Sequence, residues 1–178
     1  MNNLQNELSL KQFARDALLF NGALGLLLVG SLRWNAEIWA HDYPPDIKEK
    51  FGPISPRTKK QSAIIAVPFF IILFGSVIGS NLKLKQRNGG QLSLTAAFAN
   101  AFALIFSFWF LDLTILDWLM FVRYTPDWVI LPGTEGMAGY DDYMFHLKAH
   151  SKALPMLAGS ALVFALLTAS WPWHINNH

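Results

Sequence analysis

Four apolar runs, near residues 17–34, 62–80, 92–121 and 153–171, constrain this chain more than any other feature. A bilayer-crossing helix needs roughly 20 mostly apolar residues to span about 30 Å of hydrocarbon, and each run is near or above that length. Backbone in lipid must satisfy its own hydrogen bonds, so the runs should be helices rather than open strands. Only 15% of residues are charged, against about 25% in ordinary soluble domains, and the shortage falls inside the runs. The expected fold class is all-α: a polytopic membrane protein with four transmembrane helices near 17–41, 62–82, 92–121 and 142–171, in one membrane domain over 1–178. Leu4–Arg15 reads as an N-terminal interfacial helix with Leu4, Leu8 and Phe13 on one side, or alternatively as a frayed polar tail. It does not read as a cleavable signal peptide, because no small-residue cleavage site follows the first run. The chain has no cysteine, which excludes disulfides and thiol chemistry. A net charge of +2, evenly spread, gives no reason to expect nucleic acid as a partner.

The ionisable residues gather at one end of the runs. If each run crosses once, the end of the first, the end of the third and the start of the fourth share a side. Glu37, His41, Asp112, Asp117, His146 and His150 all fall there. That side holds nine Lys and Arg against five on the other, and the positive-inside rule places it in the cytoplasm. Trp34, Trp39, Trp109, Trp118 and Trp128 fall near the same interface, and Trp171 and Trp173 near the opposite one.

Local signals refine the helices. Arg33, Glu37 and His41 are spaced i, i+4, i+8, which predicts one stripe on a first helix that runs past the membrane until Tyr43-Pro44-Pro45 stops it. Pro68 is expected within the first two turns of the second helix, where a kink is tolerable. Gly75 and Gly79 have the spacing of a close-packing face, which would serve a homo-oligomer. Asn88-Gly89-Gly90 predicts a turn, Gln91 or Ser93 the next helix start, and Asp141-Asp142 the start of the fourth helix. The third run, thirty residues long, would reach about 45 Å as a helix. Residues 122–143 carry Pro126, Pro132 and turn glycines interleaved with Trp128, Val129, Ile130, Leu131 and Tyr140. That is the composition of an ordered loop between helices 3 and 4, folding back over the helix ends as a lid or plug.

Glu37-x-x-x-His41 and His146-x-x-x-His150 each put two potential ligands one turn apart, a spacing that suits zinc or iron. The metal set read from the sequence is Glu37, His41, Asp112, His146 and His150, with Asp117 or Glu135 as general base. Asp112 and Asp117 fit less tidily. Five residues along an α-helix is about 500°, which leaves them about 140° apart around the axis. They share a face only if the helix is kinked or locally widened; the expected arrangement has one facing inward and the other capping or paired elsewhere. Ion pairs of Arg33 with Glu37 or Asp112, and of Asp117 with Arg123, are the structural alternative.

Two stretches, Asp42-Tyr-Pro-Pro-Asp-Ile-Lys-Glu-Lys-Phe-Gly-Pro53 with the following Ser-Pro-Arg-Thr-Lys-Lys-Gln61, and Thr125-Pro-Asp-Trp-Val-Ile-Leu-Pro-Gly-Thr-Glu-Gly136 with Gly139-Tyr-Asp-Asp-Tyr143 and Phe145-His146, resemble a family of small bacterial four-helix integral membrane proteins of unknown function. The resemblance implies a multi-pass protein of the bacterial inner membrane and no particular chemistry. The leading functional expectation is a metal-dependent enzyme or metal-binding protein acting on a lipid-soluble substrate. The alternatives are a scaffold subunit of a membrane complex and an oligomeric proton or cation transporter. Membrane lipid is the expected partner in every case.

Overall fold

The computed structural model describes Leu4, Glu7 and residues 8–171. Among the described residues the regular structure is helical. Four long helices carry the apolar runs: α1 (Leu10–Trp34), α3 (Pro56–Arg87), α4 (Leu94–Leu111, continued as a π-helix over Asp112–Tyr124) and α5 (Tyr143–Ala169). All four are long and apolar enough to cross a bilayer, and the chain is a multi-pass membrane protein. A short helix, α2 (Pro45–Phe51), lies between α1 and α3. The interfacial helix expected over Leu4–Arg15 falls partly outside the described residues, and Leu10–Arg15 already belongs to α1.

The helix starts follow local chemistry. Ser55 Oγ accepts from Thr58 N at 3.1 Å, with Pro56 at the first helical position of α3. Ser93 Oγ accepts from Ala96 N at 3.2 Å, and Asp142 Oδ1 from Phe145 N at 2.9 Å, which caps α4 and α5. α3 ends in the expected turn, where Gly89 and Gly90 take φ of 65° and 86° and Gly90 N closes onto Lys85 O at 2.9 Å. Because α3 starts at Pro56, Pro68 lies in the helix interior rather than in its first two turns.

α1 does not carry the predicted Arg33–Glu37–His41 stripe. It stops at Trp34, and the Asn35 side chain accepts from Glu37 N at 3.1 Å to start a 3-10 segment, Ala36–Asp42. With three residues per turn, side chains four apart no longer align. Arg33 packs over the Trp128 ring at 5.4 Å, Glu37 accepts from Thr58 Oγ1 at 2.8 Å, and His41 pairs with Asp42 at 3.2 Å.

Contacts divide the chain into two compact units, and each long helix contributes to both. The first comprises Met1–Asn21, Ile71–Trp109 and Ala153–His178. Its core joins Leu84, Leu92, Ala96, Ala97 and Ala165, where small side chains let helices approach. Asn100 Nδ2 donates to Ser80 Oγ at 3.0 Å and Asn81 Oδ1 at 2.9 Å, and Asn81 Nδ2 donates to Thr168 Oγ1 at 2.9 Å and Ala97 O at 3.2 Å. Lys85 is buried with its ammonium on the carbonyls of Thr168, Ala169 and Trp171 at 2.7–3.0 Å, a cation at the negative end of α5. Gly75 and Gly79 make no close helix contact within the chain: an added Cβ at either would meet nothing within 4 Å.

The second unit comprises Gly22–Phe70 and Phe110–Lys152. Its core joins Ala40, Tyr43 and Ile47 to Phe121 and Val122 at the end of the π-helix and to Val129, Leu131 and Tyr140 of the following loop. The loop is tied by hydrogen bonds. Tyr43 Oη donates to Val129 O at 2.7 Å, Tyr140 Oη accepts from Leu131 N at 2.9 Å, and Gly139 N donates to Asp46 Oδ2 at 2.9 Å. A Cβ at Gly139 would run into the Asp46 carboxylate and come within 2.9 Å of Pro44 Cβ, so only glycine fits there.

Candidate acid–imidazole site

The site lies in the second unit and begins with a change of helical pitch. From Asp112 to Tyr124 the backbone is π-helical, with amides bonding five residues back rather than four. Thr125 N closes the segment onto Met120 O at 3.0 Å, and Thr125 itself sits in the left-handed region at φ 39°. That conformation is strained for a β-branched residue; its Oγ1 compensates by donating to Phe121 O at 2.8 Å. π-helical segments are rare and concentrate at functional sites.

The wider pitch corrects the expected placement of the two aspartates. In an i, i+5 helix, residues five apart stack as residues four apart do in an α-helix, so Asp112 and Asp117 share a face. Both reach His150: its Nε2 is 2.9 Å from Asp117 Oδ2 and 3.8 Å from Asp112 Oδ2. His146, one turn earlier on α5, places Nδ1 3.0 Å from the same Asp117 Oδ2. One carboxylate oxygen therefore receives two imidazoles. Trp118 Nε1, donating to Tyr143 O at 3.3 Å, holds the two helices in register.

His146 is buried between aromatic rings, with Phe121 and Phe145 edge-on at 5.0 and 5.2 Å. Its contact with Asp117 assigns the proton to Nδ1, the tautomer a carboxylate partner selects. The opposite nitrogen, Nε2, is the one fully buried side-chain nitrogen or oxygen among the described residues with no hydrogen-bond partner. Leaving such an atom unpaired costs about 1–3 kcal/mol, and a native orphan of this kind calls for an explanation.

Exposure falls along the series. His41 keeps 70% of its side-chain area in solvent, Asp112 30% and His146 6%. Asp42, absent from the residues chosen by spacing, lies within electrostatic reach. Surrounding protein, and after it the charge of Asp117, pushes the Asp42 carboxyl above its usual range, while His41, Lys48 and His150 pull the other way. Much of its side chain still meets solvent, so crowding of the carboxylate rather than full enclosure carries the shift. The one available signal was its adjacency to His41.

The five-ligand metal set is not assembled. Among the described residues no group of three or more His, Asp or Glu side chains is arranged to hold a metal ion. Within the cluster, His146 Nδ1 and His150 Nε2 both meet Asp117 Oδ2, at 3.0 and 2.9 Å. Glu37 is engaged by Thr58 and His41 by Asp42. Glu135, chosen as a base, is on the loop surface. Its own backbone N–H and that of Gly133, 3.1 Å away, hold its carboxylate below the usual range, which weakens it as a base.

Fold and site together define a multi-pass, all-α membrane protein with an acid–imidazole cluster on two of its helices. Comparison adds no closer identity: no protein family, curated protein or solved structure matches the chain.

Proposed function

We propose that this membrane protein is an acid–base enzyme in which His146 Nε2 takes a proton from, or returns one to, a lipid-soluble substrate. The observation that carries the reading is the buried, unpartnered Nε2 on a ring whose other nitrogen is held by a carboxylate. In that arrangement Asp117 orients the imidazole and stabilises its protonated form, the role a carboxylate plays beside a general base. His150 and Asp112 extend the cluster towards more exposed groups and supply a route for the proton to leave. The rings of Phe121 and Phe145 enclose His146 and favour an apolar reactant, which reaches Nε2 only when those rings move aside.

The test is conversion of lipid species in proteoliposomes made from a cell lipid extract that contains phospholipids and quinones, followed by mass spectrometry. Wild-type protein should convert at least one species, and His146→Ala should slow that conversion by roughly 100-fold or more, the lower end of general acid–base contributions. A full survey with no conversion that depends on His146 overturns the reading.

The graded exposure from His41 to His146 favours a second reading, proton translocation by an oligomer. Proton uptake into dye-loaded proteoliposomes that disappears in Asp112→Asn would select it over the enzyme.

A further inference from the structure

A second charged cluster lies in the first unit, apart from the residues of the acid–imidazole site. Asp16 on α1 is buried, and its Oδ1 sits 3.2 Å from Arg15 Nη2 and 3.3 Å from Lys83 Nζ of α3. Gln12 Nε2 reaches the other oxygen at 3.4 Å. One carboxylate thus holds two cations side by side, and a positive charge is left over. Both cations keep more than half of their side-chain area exposed, 60% for Arg15 and 52% for Lys83. Lys11, one turn before Arg15, and Arg87, one turn after Lys83, are exposed as well.

The surrounding charge points the same way. The first unit contains five Lys and Arg but only two carboxylates, Glu7 and Asp16. Lys85 is withdrawn from solvent onto the carbonyls that end α5, so the remaining four line α1 and α3. Directly after Asp16, Leu18 and Leu19 are exposed on α1. Oriented guanidinium and ammonium donors at the start of one apolar helix and the end of another, next to exposed aliphatic side chains, suit a ligand with an anionic phosphate and an acyl chain.

We infer that Arg15 and Lys83, held together by Asp16, bind the phosphodiester headgroup of an anionic membrane lipid. Arg15 and Lys83 donate to the phosphate oxygens, Lys11 and Arg87 add attraction, and the acyl chain runs along Leu18 and Leu19. Asp16 keeps the cations in place and competes with the phosphate for them.

Native mass spectrometry of detergent-purified protein offered equal phosphatidylglycerol and phosphatidylcholine tests this. Wild type should retain phosphatidylglycerol preferentially. Each basic residue near an anionic lipid surface is worth about fivefold in affinity, so Arg15→Gln/Lys83→Gln should cut retention by roughly tenfold or more. Asp16→Asn keeps the shape and removes the competing anion, and should raise retention several-fold, a gain that a purely structural ion triad would not produce. If the double variant does not fold, Arg15→Gln alone should still lose about fivefold. Equal retention of the two lipids, or an unchanged preference in the Arg15 variants, overturns the inference. Displacement of phosphatidylglycerol by millimolar inorganic phosphate would reassign the site to a free anion and overturn the lipid source.

Discussion

The two units bury polar groups by different means. In the first, Asn81, Asn100, Ser80 and Thr168 form a chain of amides and hydroxyls, and Lys85 is spent on three carbonyls. None of the amides or hydroxyls in that chain changes charge with pH, and at one end the Ser80 hydroxyl also meets the Asp16 carboxylate. In the second, Asp112, Asp117, His146 and His150 carry acid and imidazole side chains, and the series ends on an unpaired nitrogen. A network built of amides and hydroxyls suits helix adhesion, where each interhelical hydrogen bond contributes about 0.6 kcal/mol on average. Ionisable groups within membrane segments instead mark proton and ion pathways.

Removing Asp117 should have the largest effect on this contrast. Asp117→Ala strips the acceptor from two ring N–H groups at once, one of them buried; with Asp117 itself 22% exposed, the loss should be about 2 kcal/mol, below that of a fully buried pair. It should appear as a large fall in the thermal midpoint in detergent. A fall no larger than that of a first-unit variant would erase the energetic difference between the units. Asn100→Ala should cost about 1 kcal/mol, with the same loss at pH 5 and pH 8, since its partners Ser80 and Asn81 do not ionise. A pH-dependent loss would show that the first network is coupled to a titrating group.

The smallest effect is expected at Asp42. Its carboxyl is pushed up, so the folded protein holds that proton more tightly than the unfolded chain does. Stability is then lost as pH rises from the unfolded value, about 3.9, through the higher folded one. Asp42→Asn should therefore raise the midpoint slightly at pH 7 and leave it unchanged below about pH 3.9. The gain is small because the side chain is 62% exposed and solvent screens it. A lower midpoint at pH 7 would mean that the pair with His41 outweighs the repulsion from Asp117.

Much of the architecture was legible because it rests on local rules. The apolar runs set the helices, and the capping side chains of Ser93 and Asp142 and the Asn88-Gly89-Gly90 turn set their ends. The Arg33–Glu37–His41 stripe misled because i, i+4 spacing has meaning only while the helix stays α, and Asn35 captures the Glu37 amide to begin a tighter turn. The Gly75/Gly79 spacing likewise says nothing about whether a neighbour within the chain will use it.

For the site, composition and spacing selected Asp112, Asp117, His146 and His150 as candidates, because acids and imidazoles at the ends of apolar runs stand out against lipid. The sequence by itself determined that these groups exist at one level of a four-helix membrane protein, since hydrophobicity and α-periodicity are properties of contiguous residues. Only the tertiary structure decided their partners. No local signal marks the change from α to π pitch at Asp112, and that change brings two aspartates 140° apart on an α-helix onto one face. It also made Asp117 the shared partner of both imidazoles and left Glu37 and His41 to other partners. Hydrogen bonding between α4 and α5 selects which nitrogen of His146 is left bare, and no reading of one segment at a time contains that information.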